Sequence, residues 1–315
     1  MTILLLGAAA KMKAQLEQQT KLTVVVATTD MTNEQLQQVT IVLGWEQQLG
    51  ERLLHLTDSK LKWVQTYSAG VDDLPLDELR QKGVLVSNVS GIHAEPIAES
   101  VFGMLLFATR GFKLAVDQQA QHVWHRPSDT FDLVAGKQFL IYGTGHIGKR
   151  VAELAQQFKM QTIGVNHDGH AVNHFNQTTD DQGGRAYLKT ADVILNIMPL
   201  TETTRNLFDA SYFKQVKRQP IFINAGRGPS VVTADLITAL QTGQLGFAAL
   251  DVVNPEPLPK SSPLWLLPNV LLTPHISGVF PEYGQAVLQI FMKNLATFLK
   301  TGNLELNQVN LERGY

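Results

Sequence analysis

Short apolar runs alternate with segments of helical periodicity along most of the chain. The first half contains the runs TILLLG, LTVVVA, VTIVLG, LKWVQTYS and VLVSN. The second half contains KQFLIYG, MQTIGVN, DVILNIM, PIFINAG, GFAALDV and NVLLTP. Their apolar residues are continuous, which is typical of parallel strands covered on both faces. Two such series predict an α/β fold built of two doubly wound parallel-sheet domains.

Two long amphipathic patterns mark the expected domain boundaries. The first lies within SGIHAEPIAESVFGMLLFATRGFKLAVDQQAQ, where Pro96 fits the first turn of a helix. The second, FPEYGQAVLQIFMKNLATFLKTG, follows Gly278. Helices with so much apolar surface are expected to pack between domains or subunits. We therefore place the boundaries after residues 97 and 279.

Composition narrows the classes of function. The 315 residues are 44% apolar and 17% charged, with a net charge of −2 and no cysteine. Such a chain offers no basic field for nucleic acid or a membrane, and we predict neither partner. The lack of cysteine excludes disulfides and thiolate chemistry and is compatible with the cytoplasm, the predicted location. We interpret the histidines at 167, 170 and 174 as loop residues, and we predict no metal.

A glycine-rich loop predicts a dinucleotide site. In FLIYGTGHIGKRVAELAQQF, Gly143, Gly145 and Gly148 have the spacing G-x-G-x-x-G between a strand and a helix. In this context the first glycine permits a tight turn, the second lets a pyrophosphate approach, and the third lets helix and strand pack closely. The helix N-terminus then offers free N–H groups to the phosphates. His146 and Ile147 belong to the same predicted loop.

Three later strands end in polar residues. Arg227 follows IFIN between two glycines, Glu256 stands between prolines after LDVVN, and His275 follows LLTP. Ligands of parallel sheets bind beyond the carboxyl ends of the strands, where a guanidinium can grip a carboxylate with two bonds. Hydride transfer to a ketone needs a proton donor, and histidine beside a carboxylate suits that task. We predict Arg227, Glu256 and His275 as the catalytic residues.

These motifs resemble the D-isomer-specific 2-hydroxyacid dehydrogenase family over essentially the whole chain. The similar segments are YGTGHIG, NIMPLTETTRNLF, NAGRG, LDVVNPEPLPKSSPLWLLPNVLLTPHISG, QTYSAGVD and the closing NQVNLERGY. The resemblance implies a Rossmann cofactor domain, residues 98–279, inserted in a flavodoxin-like substrate domain, residues 1–97 and 280–315. It also implies a homodimer joined through the cofactor domains.

The resemblance also implies roles for individual residues. Arg227 matches the substrate-binding arginine, Glu256 the partner acid and His275 the acid/base. Asp251 matches the residue that contacts the nicotinamide carboxamide. Other positions match the nucleotide site or belong to the predicted cofactor-binding set, namely Pro199, Thr204, Ala225 and Gly278. The backbone amides of Ser68, Ala69 and Gly70 are expected to hold the substrate carboxylate.

Several functions remain open at this stage. We favour reduction of a small 2-oxo acid such as glyoxylate, hydroxypyruvate or pyruvate. Formate dehydrogenases carry glutamine where Glu256 stands, and phosphoglycerate dehydrogenases usually need cations near the substrate loop. TYSAGVDDLP offers no cation, although Lys62 could serve. A protein-binding dinucleotide sensor is the non-enzymatic alternative, and the intact Arg, Glu and His residues count against it.

The residues after the second strand of the cofactor domain predict the choice of cofactor. An acidic residue at that strand end would bond the ribose 2′-hydroxyl of NAD and repel the 2′-phosphate of NADP. Here the position is Asn166, and His167 and His170 follow and could bond a phosphate. Asp168 is counter-evidence if it faces the ribose. We expect NADP(H) to be favoured, with NAD(H) as the alternative.

Overall fold

The computed structural model describes residues 1–126 and 131–313. The chain forms two compact units, one of residues 1–92 and 280–315 and the other of residues 93–279. The first division thus lies after Ile92, five residues before the predicted boundary at 97. The assignment of a function to each domain stays a prediction. The predicted ranges and the tail motif also include residues 127–130, 314 and 315, which lie outside the described residues.

The first unit is built on a parallel sheet that has five strands in the described residues, in the order β2-β1-β3-β4-β5. This is the flavodoxin-like order. The strands are β1 (Thr2–Leu5), β2 (Thr23–Val26), β3 (Val39–Leu43), β4 (Trp63–Gln65) and β5 (Leu85–Ser87). The helices are α1 (Lys13–Thr20), α2 (Asn33–Gln37), α3 (Gln47–His55), α4 (Leu76–Gln81) and, from the second segment, α11 (Tyr283–Thr301).

The second unit contains a parallel sheet with seven described strands, in the order β12-β11-β10-β9-β6-β7-β8. They are β6 (Gln138–Tyr142), β7 (Gln161–Val165), β8 (Gln177–Thr179), β9 (Val193–Asn196), β10 (Ile221–Asn224), β11 (Phe247–Leu250) and β12 (Val270–Leu272). The helices are α5 (Ala94–Thr109), α6 (Phe112–Ala120), α7 (His146–Gln157), α8 (Asp181–Ala186), α9 (Ala210–Phe213) and α10 (Thr233–Gln241). The order places β6 at the switch point of a Rossmann sheet.

Each sheet is buried on both faces. In the second unit, one cluster packs Tyr142, Phe208 and Phe222 below one face, and another packs Phe139 and Ile141 against the other face. The first unit has the same two-sided arrangement, with Trp63 stacked on Phe291 of α11. This two-sided burial explains the continuous apolar runs. No helix in the described residues has the length and apolarity that a bilayer span requires.

The predicted fold class is confirmed, with two local differences. Strand β8 was not expected, because its residues, QTT, are polar and lie at the sheet edge. The long apolar helix after Pro96 is split into α5 and α6 at Gly111, which has a φ of +71°. The ring of Phe131 lies where a Cβ at Gly111 would be, 2.7 Å from Cε1. Glycine therefore fits this break for two reasons, conformation and space.

Candidate active site

The predicted polar residues lie beyond the carboxyl ends of the strands of the seven-stranded sheet, which we call the carboxyl edge. Parallel pairing aligns the last residues of β10, β11 and β12, because Asn224 pairs with Leu250 and Leu250 with Leu272. The chain leaves these strands into the loops that carry Arg227, Asp251 with Glu256, and His275. The glycine loop follows β6 at the same edge. The sheet therefore presents all four segments at the carboxyl ends of its strands.

His275 and Glu256 form a hydrogen-bonded pair. The distance between His275 Nδ1 and Glu256 Oε2 is 2.9 Å, and the other carboxylate oxygen, Oε1, accepts a 3.0 Å bond from the Val253 N–H. A carboxylate accepts only, so Nδ1 must carry the proton in this pair. Nε2 is then the imidazole nitrogen that can exchange a proton with a ligand. The side chain of His275 is 57% exposed, which suits that task.

Asp251 organises the turn that carries His275. Its side chain is buried, and Oδ1 accepts bonds from the Thr273 hydroxyl at 2.6 Å and the Ile276 N–H at 3.0 Å. Oδ2 accepts from the N–H and hydroxyl of Ser277, at 3.1 and 2.5 Å. Four donors compensate the burial of the charge. The carboxamide contact expected of Asp251 remains a prediction, and the described contacts give this residue a second task.

The backbone of His275 is held in an uncommon conformation. Its φ is +54°, a left-handed value that costs a non-glycine residue about 1–2 kcal/mol. Its N–H donates to the carbonyl oxygens of Asp251, at 2.9 Å, and Thr273, at 3.0 Å. Such strain persists where neighbouring contacts fix the conformation. The backbone and side chain of Asp251 together provide those contacts.

The loop of Arg227 is fixed by a buried pair of asparagines. Asn196 Nδ2 donates to Asn224 Oδ1 at 2.9 Å, and Asn224 Nδ2 donates to the Arg227 carbonyl at 3.2 Å. A Cβ on Gly228 would lie 1.9 Å from the Val253 carbonyl oxygen, so the arginine and glutamate loops touch. The guanidinium also donates to the Gly226 carbonyl at 2.9 Å. Arg227 is thus held close to the loop that carries Glu256.

The glycine loop fits a dinucleotide. Gly143 has a φ of +106°, and a Cβ on Gly148 would lie 1.9 Å from the Gly143 carbonyl oxygen. A Cβ on Gly145 would meet nothing within 4 Å, so the space beside it is open. Gly145 caps α7, whose first residues are His146 and Ile147. The loop therefore combines a tight turn, room for a pyrophosphate and helix N–H groups.

The segment after β7 has an acceptor that fits a ribose. Asn166 donates through Nδ2 to the Thr144 hydroxyl at 3.3 Å and the His170 carbonyl at 3.0 Å. In the described residues its Oδ1 is buried without a hydrogen-bond partner. Asp168 bonds His170 through Oδ1 and Nδ1 at 2.5 Å, and this bond lowers the pKa of the Asp168 carboxyl. His167 is exposed.

The remaining predicted cofactor residues lie on loops at the same edge. Pro199 and Thr204 are joined by a 2.8 Å bond from the Thr204 hydroxyl to the Pro199 carbonyl. Ala225 follows β10, and its N–H donates to the Asn196 carbonyl at 3.1 Å. Gly278 follows the His275 turn. These contacts place the residues without testing their roles.

His93 is a residue near this site that the sequence did not single out. A Cβ on Gly278 would lie 2.9 Å from its Cδ2, so the imidazole packs on the turn after His275. Burial, and then the positive charge of Arg227, lowers the pKa of His93 from its ordinary 6.5 to about 4. The imidazole is therefore neutral at pH 7. The sequence shows that His93 precedes the helix that contains Pro96, but it does not show that His93 lies close to Arg227.

The loop predicted to bind the substrate carboxylate belongs to the first unit. Its carbonyl oxygens are turned toward that unit, where Tyr67, Ser68, Ala69 and Gly70 accept bonds from Tyr283, Thr66, Asn88 and Ser68 respectively. In the described part of the chain, the amides of Ala69 and Gly70 have no acceptor. A loop with occupied carbonyls and available N–H groups is suited to an anion.

Two signals in the sequence could have revealed more of the site. The runs VILN and IFIN both end in asparagine, and these residues pair in register between β9 and β10. When two neighbouring buried strands each end in a polar residue, a hydrogen bond between the two side chains is expected. Thr273 and Ser277 flank His275 as hydroxyl donors, but the residue that accepts from both of them, Asp251, is distant in sequence. The described residues contain no group of three His, Asp or Glu side chains arranged to hold a metal.

Comparisons with known proteins show which family this chain resembles. The profile of the D-isomer specific 2-hydroxyacid dehydrogenase NAD binding domain matches residues 102–277. A glyoxylate/hydroxypyruvate reductase B of Citrobacter koseri is 35% identical over 257 residues, which are 80% of this chain and 78% of that protein.

Several solved structures, among them the following two, are similar to nearly the whole chain. A phosphoglycerate dehydrogenase from Lactobacillus plantarum is 42% identical, with a TM-score of 0.59, over 98% of this chain and 100% of that one. An NADPH-dependent glyoxylate/hydroxypyruvate reductase from Sinorhizobium meliloti, solved with NADP and sulfate, is 26% identical. Its TM-score is 0.85, and the match covers 100% of this chain and 99% of that one.

The environment of His93 predicts a contribution to acid sensitivity. In the unfolded chain this imidazole takes up a proton near pH 6.5, whereas in the folded chain it does so only near pH 4. The contribution of His93 to the free energy of unfolding is therefore fully present above pH 6.5 and is lost as the pH falls from 6.5 to 4. We expect the melting temperature to fall less between pH 7 and 5 in His93→Gln than in the wild type. An equal fall in both would contradict the assignment, and His125→Gln, an exposed histidine of the same unit, is the control.

Proposed function

The chain belongs to the D-isomer-specific 2-hydroxyacid dehydrogenase family, as its motifs predicted, and is an NAD(P)-dependent oxidoreductase acting on CH–OH groups. On this premise we propose that it reduces a small, unphosphorylated 2-oxo acid to the D-2-hydroxy acid. The observation that carries the proposal is the 2.9 Å bond between His275 and Glu256 at the sheet edge that also presents the glycine loop.

His275 is the proposed acid/base. When bound, the nicotinamide supplies the hydride, and negative charge develops on the substrate oxygen. His275 donates the proton from Nε2, because Nδ1 is committed to Glu256. The carboxylate stabilises the imidazolium before the proton leaves and holds the ring in one tautomer. In the reverse direction the same nitrogen accepts the proton of the hydroxyl group.

Arg227 and the loop of residues 68–70 are the proposed carboxylate ligands. A guanidinium can bind a carboxylate through two parallel bonds, and the same cation polarises a neighbouring carbonyl. The amides of Ala69 and Gly70, together with that of Ser68, are assigned to the same anionic group. The occupied carbonyls of this loop support the assignment, because they leave the N–H groups for a ligand.

Phosphoglycerate dehydrogenase is the second candidate, favoured by the similarity to the Lactobacillus plantarum enzyme. Lys62 does not support it. Lys62 precedes β4, whereas the loop of residues 68–70 follows β4, so the two lie at opposite ends of this strand. The substrate preference therefore remains for a small acid without a phosphate. A higher kcat/KM for 3-phosphohydroxypyruvate than for hydroxypyruvate or glyoxylate would reverse this choice.

NADPH is the proposed preferred cofactor. Asp168 would disfavour a 2′-phosphate if its charge were free, but its bond with His170 directs it to that imidazole. His167 and His170 are exposed and can donate to a phosphate. The unpaired Oδ1 of Asn166 can accept from a ribose hydroxyl that both cofactors possess. The similar Sinorhizobium meliloti enzyme is NADPH-dependent and was solved with NADP, which supports the proposal.

A homodimer formed through the second unit is also proposed. No residue of α6 is fully buried. Exposed apolar side chains lie on this helix and on the chain that follows it. They are Phe112, Val116, Val123, Trp124, Phe131 and Leu133, with Trp124 fully exposed. We call this set the α6 surface. A second copy of the chain is the proposed occupant, and the cytoplasm stays the predicted location.

The first prediction from the proposed function tests the acid/base. We expect His275→Ala to lower kcat for glyoxylate or hydroxypyruvate by about 100-fold or more, the scale of a lost general acid. Cofactor affinity should be retained. His55→Ala is a matched control, because His55 forms a His–carboxylate contact with Glu78, 3.3 Å long, in the first unit. Near-normal turnover of His275→Ala would exclude the assignment.

The second prediction tests the cofactor. We expect kcat/KM to be higher for NADPH than for NADH on one 2-oxo acid. His170→Ala removes the partner of Asp168, so the ratio should shift toward NADH because the free carboxylate repels the 2′-phosphate. Asp168→Asn should shift it toward NADPH. Asp58→Asn, an exposed carboxylate of the first unit, is the control. A wild-type preference for NADH would contradict the proposal.

The third prediction tests the dimer. A charge within an apolar interface is costly because it loses its hydration without a partner. We expect the wild-type chain to elute with light-scattering mass twice that of the monomer, and Val116→Glu to reduce it to the monomer mass. Leu266→Glu alters an exposed leucine outside the α6 surface and should leave the dimer intact. A monomeric wild type would remove the proposal.

A further inference from the structure

The segment after α11 returns to the five-stranded sheet of the first unit. Helix α11 ends at Thr301 and is capped by Gly302, whose φ is +76°. The fully buried side chain of Asn294 then directs the chain, since its Oδ1 accepts from the N–H groups of Glu305, at 3.0 Å, and Leu306, at 2.7 Å. Its Nδ2 donates to the Leu306 carbonyl at 3.0 Å. The path of the returning segment is thus fixed before it reaches the sheet.

Residues 307–309, which we call the tail segment, cover the edge strand β5. Gln308 forms an antiparallel bridge with Ser87. The Val309 N–H donates to the Val86 carbonyl at 2.9 Å, and Val309 is buried in the core of the unit. An edge strand needs such a cover to satisfy its free backbone groups. The attachment of the tail segment therefore does not depend on the side chain of Asn307.

The side chain of Asn307 has a separate task. Its Nδ2 donates to the carbonyl oxygens of Asn88, at 3.3 Å, and Ser90, at 2.8 Å. In return, the Asn88 N–H donates to the Asn307 carbonyl at 3.1 Å. Asn307 has a φ of +52°, a conformation that asparagine adopts more readily than most residues. Hydrogen bonds to Asn307 thus fix residues 88–90 to the tail segment.

Asn88 extends this contact to the loop of residues 68–70. Its side chain is nearly buried, Oδ1 accepts from the Ser90 N–H at 3.0 Å, and Nδ2 donates to the Ala69 carbonyl at 2.9 Å. A peptide group is planar, so a fixed carbonyl also fixes the N–H group of the following residue, which points the opposite way. For the Ala69 carbonyl, that N–H belongs to Gly70.

We propose that Asn307 and Asn88 are positioning residues for the substrate, acting as two successive amides that orient the Ala69–Gly70 peptide toward the substrate carboxylate. The inference rests on the proposed function, because it takes the amides of this loop as carboxylate ligands. It assigns the tail segment to the substrate-binding machinery rather than to stability alone. The partner is therefore the anionic end of the 2-oxo acid, and the cofactor is unaffected.

The expected kinetic effect is specific. A loop amide bonds the carboxylate both before and during the reaction, so its misplacement raises KM and leaves kcat nearly unchanged. We expect Asn307→Gly to raise the KM for the 2-oxo acid by about 10-fold, the scale of one weakened bond to a charged group. Glycine adopts a φ of +52° without strain, so only the side-chain amide is lost. The KM for the cofactor should not change.

The control and a second variant keep the test interpretable. Asn310→Gly removes a similar side chain, whose Oδ1 accepts from the N–H groups of Glu312 and Arg313 and has no link to the loop. Asn88→Asp keeps the size of the side chain but replaces the donor Nδ2 with an acceptor, so it should also raise KM. Hydrogen exchange of residues 66–72 without ligand gives a readout independent of turnover.

The outcomes separate this inference from the proposed function. Raised KM and faster exchange at residues 66–72 in Asn307→Gly and Asn88→Asp, with Asn310→Gly like the wild type, would support it. Wild-type KM and exchange in Asn307→Gly would overturn it. If the wild-type chain turned over no 2-oxo acid, the proposed function would fail, and the exchange data would still decide whether Asn307 holds the loop.

Discussion

The site at the edge of the seven-stranded sheet depends on one buried carboxylate. Asp251 accepts four bonds from Thr273, Ile276 and Ser277, and its carbonyl accepts the N–H of His275. A buried charge is tolerable only with such partners, and each of these donors would in turn be costly to bury alone. The turn therefore has one satisfactory arrangement. That arrangement holds His275 at a positive φ and within 2.9 Å of Glu256.

The same principle shapes the other loops. The buried side chain of Asn196 donates to that of Asn224, which donates to the Arg227 carbonyl. The carbonyl groups of residues 67–70 likewise accept bonds from donors of their own unit. In both loops, these inward-facing amide and carbonyl groups are hydrogen-bonded. The groups proposed to bind a ligand are then side chains such as that of His275, or backbone N–H groups such as that of Gly70. Positioning and chemistry are thus divided between different residues of each loop.

Much of this arrangement was accessible from the sequence. Continuous apolar runs predicted the parallel sheets, and the glycine spacing predicted the turn at Gly143 and the close approach at Gly148, because both follow from local geometry. The Glu256–His275 contact was expected from chemistry. The four bonds of Asp251 and the proximity of His93 to Arg227 were not, since they join residues distant in sequence. Strand β8 was not predicted, because an edge strand can be polar and this one has no run of apolar residues.

The central claim is that the Glu256 carboxylate prepares His275 to donate a proton. The most direct test compares kcat for 2-oxo acid reduction at pH 7 in the wild type, in Glu256→Gln and in His275→Ala. Glutamine keeps the size of the side chain, but an amide cannot stabilise an imidazolium as a carboxylate does. The account therefore predicts that Glu256→Gln lowers kcat toward that of His275→Ala while cofactor affinity is retained. A kcat of Glu256→Gln equal to that of the wild type would contradict it.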